Sequence, residues 1–163
     1  MENEIAEKIQ EKFGVGVVER IEAQHLQSIL VIRADFLQDV CLYLRDTDGL
    51  YFDFLSNISA VDYYPEAKFE LVYHLTSIPY QRQLVIKVEL FNGRELNELP
   101  QVTSVAGVWR TADWHEREAF DLMGVFFENH PDLRRILLPD DWEGYPLRKD
   151  YTDPEFYHGI AIK

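Results

Sequence analysis

The sequence predicts an α+β fold: a mixed, largely antiparallel sheet with helices packed on one face, followed by an extended irregular C-terminal arm. Three observations lead there. Between residues 50 and 90, apolar and polar residues alternate at period two, as in strands with one covered face and one wetter face. The flanking segments repeat their apolar residues at three- and four-residue spacing, as helices do. Beyond Gly124 both periods stop.

Taken in order, Ile5, Ile9 and Phe13 recur every fourth residue and Gly14 follows, which predicts a short amphipathic helix with a glycine stop. Residues 15–21 and 28–33 read as two strands around a polar turn. Asp35 is placed to cap a second helix, with Phe36, Leu37, Val40, Tyr43 and Leu44 on its inner side and an end near Asp48-Gly49. Strands follow over 50–61, 68–75 and 84–90; in the second, Phe69, Leu71, Tyr73 and Leu75 face one way, and Glu70 and His74 the other. Asn92-Gly93 closes the last strand. A third helix is expected over 102–123, ended by Gly124.

At 163 residues the chain suits one domain, able to bury roughly 70% of its unfolded surface. With 29 acidic against 16 basic residues its formal charge is −13, which argues against nucleic acid and against adsorption to anionic lipid. Cys41 is the only cysteine, so no internal disulfide and no cysteine set for an iron–sulfur cluster is available. The apolar runs fall far short of the ~20 residues that cross a bilayer. The acidic start, Met1-Glu2-Asn3-Glu4, lacks the pattern of a signal peptide, and a reducing, cytosol-like compartment is expected.

Residues 125–163 hold four of the seven prolines yet also Trp142, Tyr145, Tyr151, Phe156 and Tyr157. Such rings are unusual in disordered chain, and a long structureless loop is unusual inside a compact domain. An arm ordered on a partner accommodates both facts. The expected organisation is therefore a domain over 1–124 and an arm over 125–163.

The third helix carries the most information. Projected at 100° per residue, Val105, Trp109, Ala112, Ala119, Phe120 and Met123 form one stripe, with Glu116 in its middle. Stranding a buried ion costs about 3–5 kcal/mol, so Glu116 needs a fixed cation or a proton. Arg134, Arg135 and Arg148 are the expected donors, tying the arm to the helix. The opposite face, with Arg110, Trp114, Arg117 and Asp121, suits either solvent or a protein interface. His115, Glu116, Glu118, His130 and Asp132 lack the spacing of a helical zinc site. No phosphate-binding glycine loop, dinucleotide fingerprint or nucleophile elbow occurs.

The block Glu116-Arg117-Glu118-Ala119-Phe120-Asp121-Leu122-Met123-Gly124, followed by His130-Pro131-Asp132-Leu133-Arg134-Arg135-Ile136-Leu137, resembles the signature of one family. That family is the 30-kDa subunit of proton-pumping NADH:quinone oxidoreductase (respiratory complex I). The stretch from Pro139 through Trp142, Gly144, Tyr145, Pro146, Leu147 and Arg148 to Tyr151 resembles the same family's tail motif.

The resemblance implies a peripheral-arm subunit with no flavin or iron–sulfur cluster of its own, those cofactors lying on partner subunits. It implies packing beside the large quinone-site subunit and neighbouring peripheral-arm subunits, at the cytoplasmic side of a bacterial membrane, reached only through the complex. Glu116 and Glu118 with Arg134 and Arg135 are then expected to lock helix to arm. Trp142, Arg148 and Tyr151 are expected to anchor the arm on the large subunit, Arg148 either crossing to a carboxylate there or completing the internal pair. Trp114, Arg117, Asp121 and His130 complete the expected interface and structural set. Related hydrogenase or formate-linked complexes, and a free-standing acidic binding module, are the competing assignments.

Overall fold

A computed structural model describes residues 2–23, 27–92 and 94–162. Helix α1, Glu2–Phe13, buries Ile5, Ala6 and Ile9, and ends where the Gly14 N–H donates to the Gln10 carbonyl at 2.9 Å. Strands β1 (Val18–Glu22) and β2 (Ile29–Ile32) follow. A 3-10 turn, Ala34–Phe36, leads into α2, Leu37–Asp46. Asp35 does not cap it: its carboxylate meets Arg33 at 2.7 Å, and neither the turn nor α2 carries a side-chain cap.

Three long strands come next: β3 (Phe54–Asp62), β4 (Lys68–Ser77) and β5 (Arg82–Phe91). The first of them begins at Phe54 rather than at residue 50 as expected. The Phe52 N–H is held by the Leu44 carbonyl at 3.0 Å, so Leu50 and Phe52 enter the core from a turn. Gly93, expected to help close β5, lies outside the described residues.

The five strands pair in the order β1-β2-β5-β4-β3, antiparallel except for the parallel β2–β5 pair. Register explains the core. Ile21, Leu30, Ile86, Tyr73 and Ile58 are successive cross-strand partners, so every strand gives one apolar side chain to a single row. That row faces the helices, whose Ile5, Ile9, Leu37, Val40, Leu44, Ala119 and Met123 join the same cluster. A bulge at Ser56 lets Leu55 and Ile58 both point inward although three positions separate them.

Among the described residues the other face bears no helix, and it carries a closed ring of six charges. Arg20 meets Glu89 at 2.6 Å and Glu22 at 2.9 Å; Lys87 meets Glu22 at 2.7 Å and Glu70 at 3.3 Å; Lys68 meets Glu70 at 3.2 Å and Glu89 at 3.4 Å. Glu70 and Glu89 are direct cross-strand partners, an unfavourable like-charge pairing that Lys68 offsets by bridging both. The Arg20 guanidinium is the main reason that the Glu89 carboxyl titrates as low as about 2.

The expected helix over 102–123 is instead a strand, a turn and a helix. Gln101–Thr103 forms β6, and α3 spans Ala112–Met123. Between them the chain coils through a turn in which the Val108 and Trp109 N–H groups both reach the Val105 carbonyl. The predicted stripe is buried nonetheless, at Val105, Trp109, Ala112, Ala119 and Met123. After α3, Phe126–Glu128 forms β7, parallel to β6, and β8 (Phe156–Tyr157) pairs with β9 (Ile160–Ala161). Two- and three-residue strands are too short to display an alternating pattern.

Candidate protein interface

Glu116 is fully buried, and its partner is not an arginine. Its carboxylate accepts the Ser104 hydroxyl at 2.5 Å and the Val105 N–H at 2.7 Å. The expected Glu116–guanidinium pair is therefore corrected: the carboxylate turns inward to the β6–α3 turn and meets no arginine of the arm. Burial pushes its pKa up to about 7, against the pull of those two hydrogen bonds, with Asp113 adding repulsion. His130 lies alongside, its Nε2 3.8 Å from Glu116. Its Nδ1 accepts the Asp132 N–H at 3.0 Å, which places the ring proton on Nε2, facing the Asp113 carbonyl at 3.1 Å. The histidine thus pins the turn after β7 onto the first turn of α3.

Asp121 and Arg117 make the helix-to-arm lock that the sequence leads one to expect from Glu116 and Glu118. Asp121 is fully buried; it receives Arg135 Nη1 at 2.8 Å and the backbone N–H groups of Ile136, Leu137 and Leu138 at 3.1, 2.7 and 2.9 Å. Burial opposes its ionisation, but the three amides and the guanidinium outweigh it and hold the carboxyl below the usual carboxylate range. Arg117 donates to the Arg134 and Arg135 carbonyls at 3.1 and 3.0 Å. Helical projection puts Arg117 and Asp121 on the outer face, which is correct, but the arm covers that face. Arg134 takes part through its backbone; its guanidinium pairs with Asp132. Glu118 stays exposed.

A second joint closes the end of α3. Gly124 sits at φ 66°, and a Cβ there would stand 2.5 Å from the Tyr145 ring and 2.8 Å from Arg148. Arg148, 4% exposed, donates to the Met123 carbonyl at 2.8 Å and the Gly124 carbonyl at 3.2 Å. A guanidinium on the last carbonyls of a helix meets both orphan acceptors and the negative end of its dipole. Tyr145 and Phe69 rings flank it at 4.8 and 5.0 Å. Sequence reasoning misses the neighbouring clasp: Arg94 grips Asp62 with two bonds of 2.7 Å and Asp150 with one of 2.9 Å, and the Lys149 N–H also reaches Asp62. Nothing in the spacing of 62, 94 and 150 signals it. Trp142 and Tyr151 contact each other, Nε1 to Oη at 3.1 Å, and the Trp142 carbonyl accepts Arg135.

What α3 leaves uncovered is apolar and charged together. Trp114 is 70% exposed and Leu137 63% exposed. With Arg110, His115, Glu118 and Ile136 they line an open groove of about 840 Å³. Among the described residues, no three His, Cys, Asp or Glu side chains gather where a metal ion could be held, and no helix is long and apolar enough to cross a membrane.

Comparison with known proteins bears on this arrangement. Residues 30–157 match the family described as respiratory-chain NADH dehydrogenase, 30 Kd subunit. The C subunit of the NADH-quinone oxidoreductase of Chlorobium phaeobacteroides is 43% identical over 155 residues, 94% of this chain and 90% of that one. Its counterpart in Chloroherpeton thalassium is also 43% identical over 155 residues, but these make up only 62% of its length. Among solved structures, a chain of the membrane-bound sulfane sulfur reductase, an archaeal respiratory membrane complex, is similar at TM-score 0.73 and 26% identity, over 93% of this chain and 85% of that one.

Proposed function

The chain belongs to the family of the 30 Kd subunit of respiratory-chain NADH dehydrogenase, and on that premise we propose that it is a peripheral subunit of a proton-translocating NADH:quinone oxidoreductase. It carries no active site, flavin or cluster of its own. Its work is to brace the large quinone-site subunit and the electron path from NADH to quinone, on the cytoplasmic side of a bacterial membrane. Residues 125–163 form the arm that docks there, with the outward surfaces of Trp142 and Tyr151 meeting the partner.

The observation that carries this reading is the match over residues 30–157, which takes in the whole joint between α3 and the arm. That joint is held by buried, fully bonded carboxylate and guanidinium groups. Such a joint keeps its geometry, which suits a brace better than a mobile catalytic loop.

The test is affinity purification of the tagged chain from solubilised membranes. Recovery with cluster-bearing subunits and NADH-driven quinone reduction is expected; recovery of the chain alone would overturn the proposal. Two other readings have specific support. The likeness to the sulfane sulfur reductase chain fits a related membrane complex that does not use NADH, and co-purification without NADH-driven reduction would select it. The arm's bonds to its own helix fit a free-standing acidic module, which recovery alone would select.

A further inference from the structure

Charge and exposure on α3 point to the chemistry of one neighbour. Among the described residues, nine of the ten arginines hold a carboxylate, a backbone carbonyl or an aromatic ring; Arg110 holds none. A chain with 29 acidic residues thus leaves the Arg110 guanidinium with none of these partners, beside a Trp114 that is 70% exposed. Arginine and tryptophan side by side, in a groove with an apolar wall, are the residue types that dominate binding energy at protein interfaces. At the other end of the groove Glu118 is exposed and, among the described residues, holds no cation.

We propose that the groove between Trp114 and Leu137 receives an apolar side chain from a segment of another subunit, with a carboxylate of that segment closing on Arg110. This rests on the subunit reading above. The polarity of the groove gives the segment a direction. Arg110 lies in the turn just before α3 and Glu118 on the helix itself, with Trp114 between them in sequence. The occupant carries its acid at one end, a basic or hydrogen-bond-donating group at the other, and its apolar anchor between them. A lipid headgroup offers an anion for Arg110 but meets repulsion from Glu118 and the −13 chain. A second copy of this chain would have to bring one of its own carboxylates to the groove.

The experiment places a p-benzoylphenylalanine in position 114 of the tagged, membrane-assembled chain, with and without Arg110→Glu. Wild-type chain that fails to co-purify with membrane subunits defeats the subunit reading itself, whatever the groove does. If it co-purifies, illumination should join position 114 to a peptide of a different subunit that has an Asp or Glu within a few residues. Arg110→Glu should lower that yield tenfold or more, and placing Arg at the identified acid should restore it. Arg110 is exposed, so the variant should keep the wild-type melting temperature in isolation. A crosslink to a second copy, to lipid or to nothing overturns the proposal, as does an unchanged yield in Arg110→Glu.

Discussion

Replacing Glu116 with Gln removes one ionisation and little volume, which makes its pH dependence a direct probe of the buried turn. The folded carboxyl titrates at about 7 against an ordinary value of 4.5, so the native state binds the proton more tightly than the unfolded chain. The contribution to stability is fully present below the unfolded value of about 4.5 and is lost as pH rises through about 7. Between pH 5.5 and pH 8 the loss is about 2 kcal/mol. Groups facing Glu116 are Asp113 on its own helix and, from other elements, His130, Cys41 and Tyr73, and all are retained in the variant. Urea unfolding at a series of pH values should show wild type weakening by about 2 kcal/mol more than Glu116→Gln across that window. The variant also carries a pH-independent loss, because its amide cannot accept both the Ser104 hydroxyl and the Val105 N–H. Parallel stability curves for the two proteins would refute the account of a desolvated carboxyl.

Other perturbations have equally definite outcomes. Asp121→Ala leaves three backbone N–H groups without their acceptor and the buried end of Arg135 with carbonyls but no counter-charge; a loss of about 3–5 kcal/mol is expected, with hydrogen exchange at 136–138 rising far more than in β4. Gly124→Ala imposes a left-handed alanine and a clash with Tyr145; it should cost at least about 1 kcal/mol and lower Tm by about 2–4 °C for each kcal/mol. Glu89 has a depressed pKa, near 2, so its stabilisation is present above about 4.5 and disappears as pH falls toward 2. Acid titration of Glu89→Gln should therefore show a shallower loss of stability over that range than wild type. Arg148→Ala should release the arm from Met123 and Gly124 and reduce incorporation into the membrane complex, measured by co-purification.

How much of this is legible in the sequence follows from the range of the forces involved. The sheet's inner face, from Phe69 to Leu75 and Leu84 to Leu90, is written in period two because each side chain answers only to its own strand. The stripe from Val105 to Met123 is buried as its spacing predicts, yet it does not lie on one helix. Whether Glu116 bonds forward to an arginine or back to Ser104 depends on a turn that periodicity does not encode. The same holds for the arm. Its composition points to ordering by a neighbouring polypeptide, and a second source lies within the chain, in Asp121, Asp62 and the last carbonyls of α3. Those contacts join residues 14 to 87 positions apart, beyond any local pattern. The ring of charges does leave a trace: Arg20 and Glu22, Lys68 and Glu70, Lys87 and Glu89 are each opposite charges two residues apart, the spacing that places both on one side of a strand.

That ring also gives the domain a direction. Six ions that already neutralise one another project almost no field outward, and an approaching polypeptide would have to break existing bonds before making new ones. That side of the sheet behaves as the glazed side of a tile, poor at adhesion although, among the described residues, no helix covers it. An approaching polypeptide therefore gains more elsewhere on the domain, and the ring narrows the orientations in which the domain can be set in place.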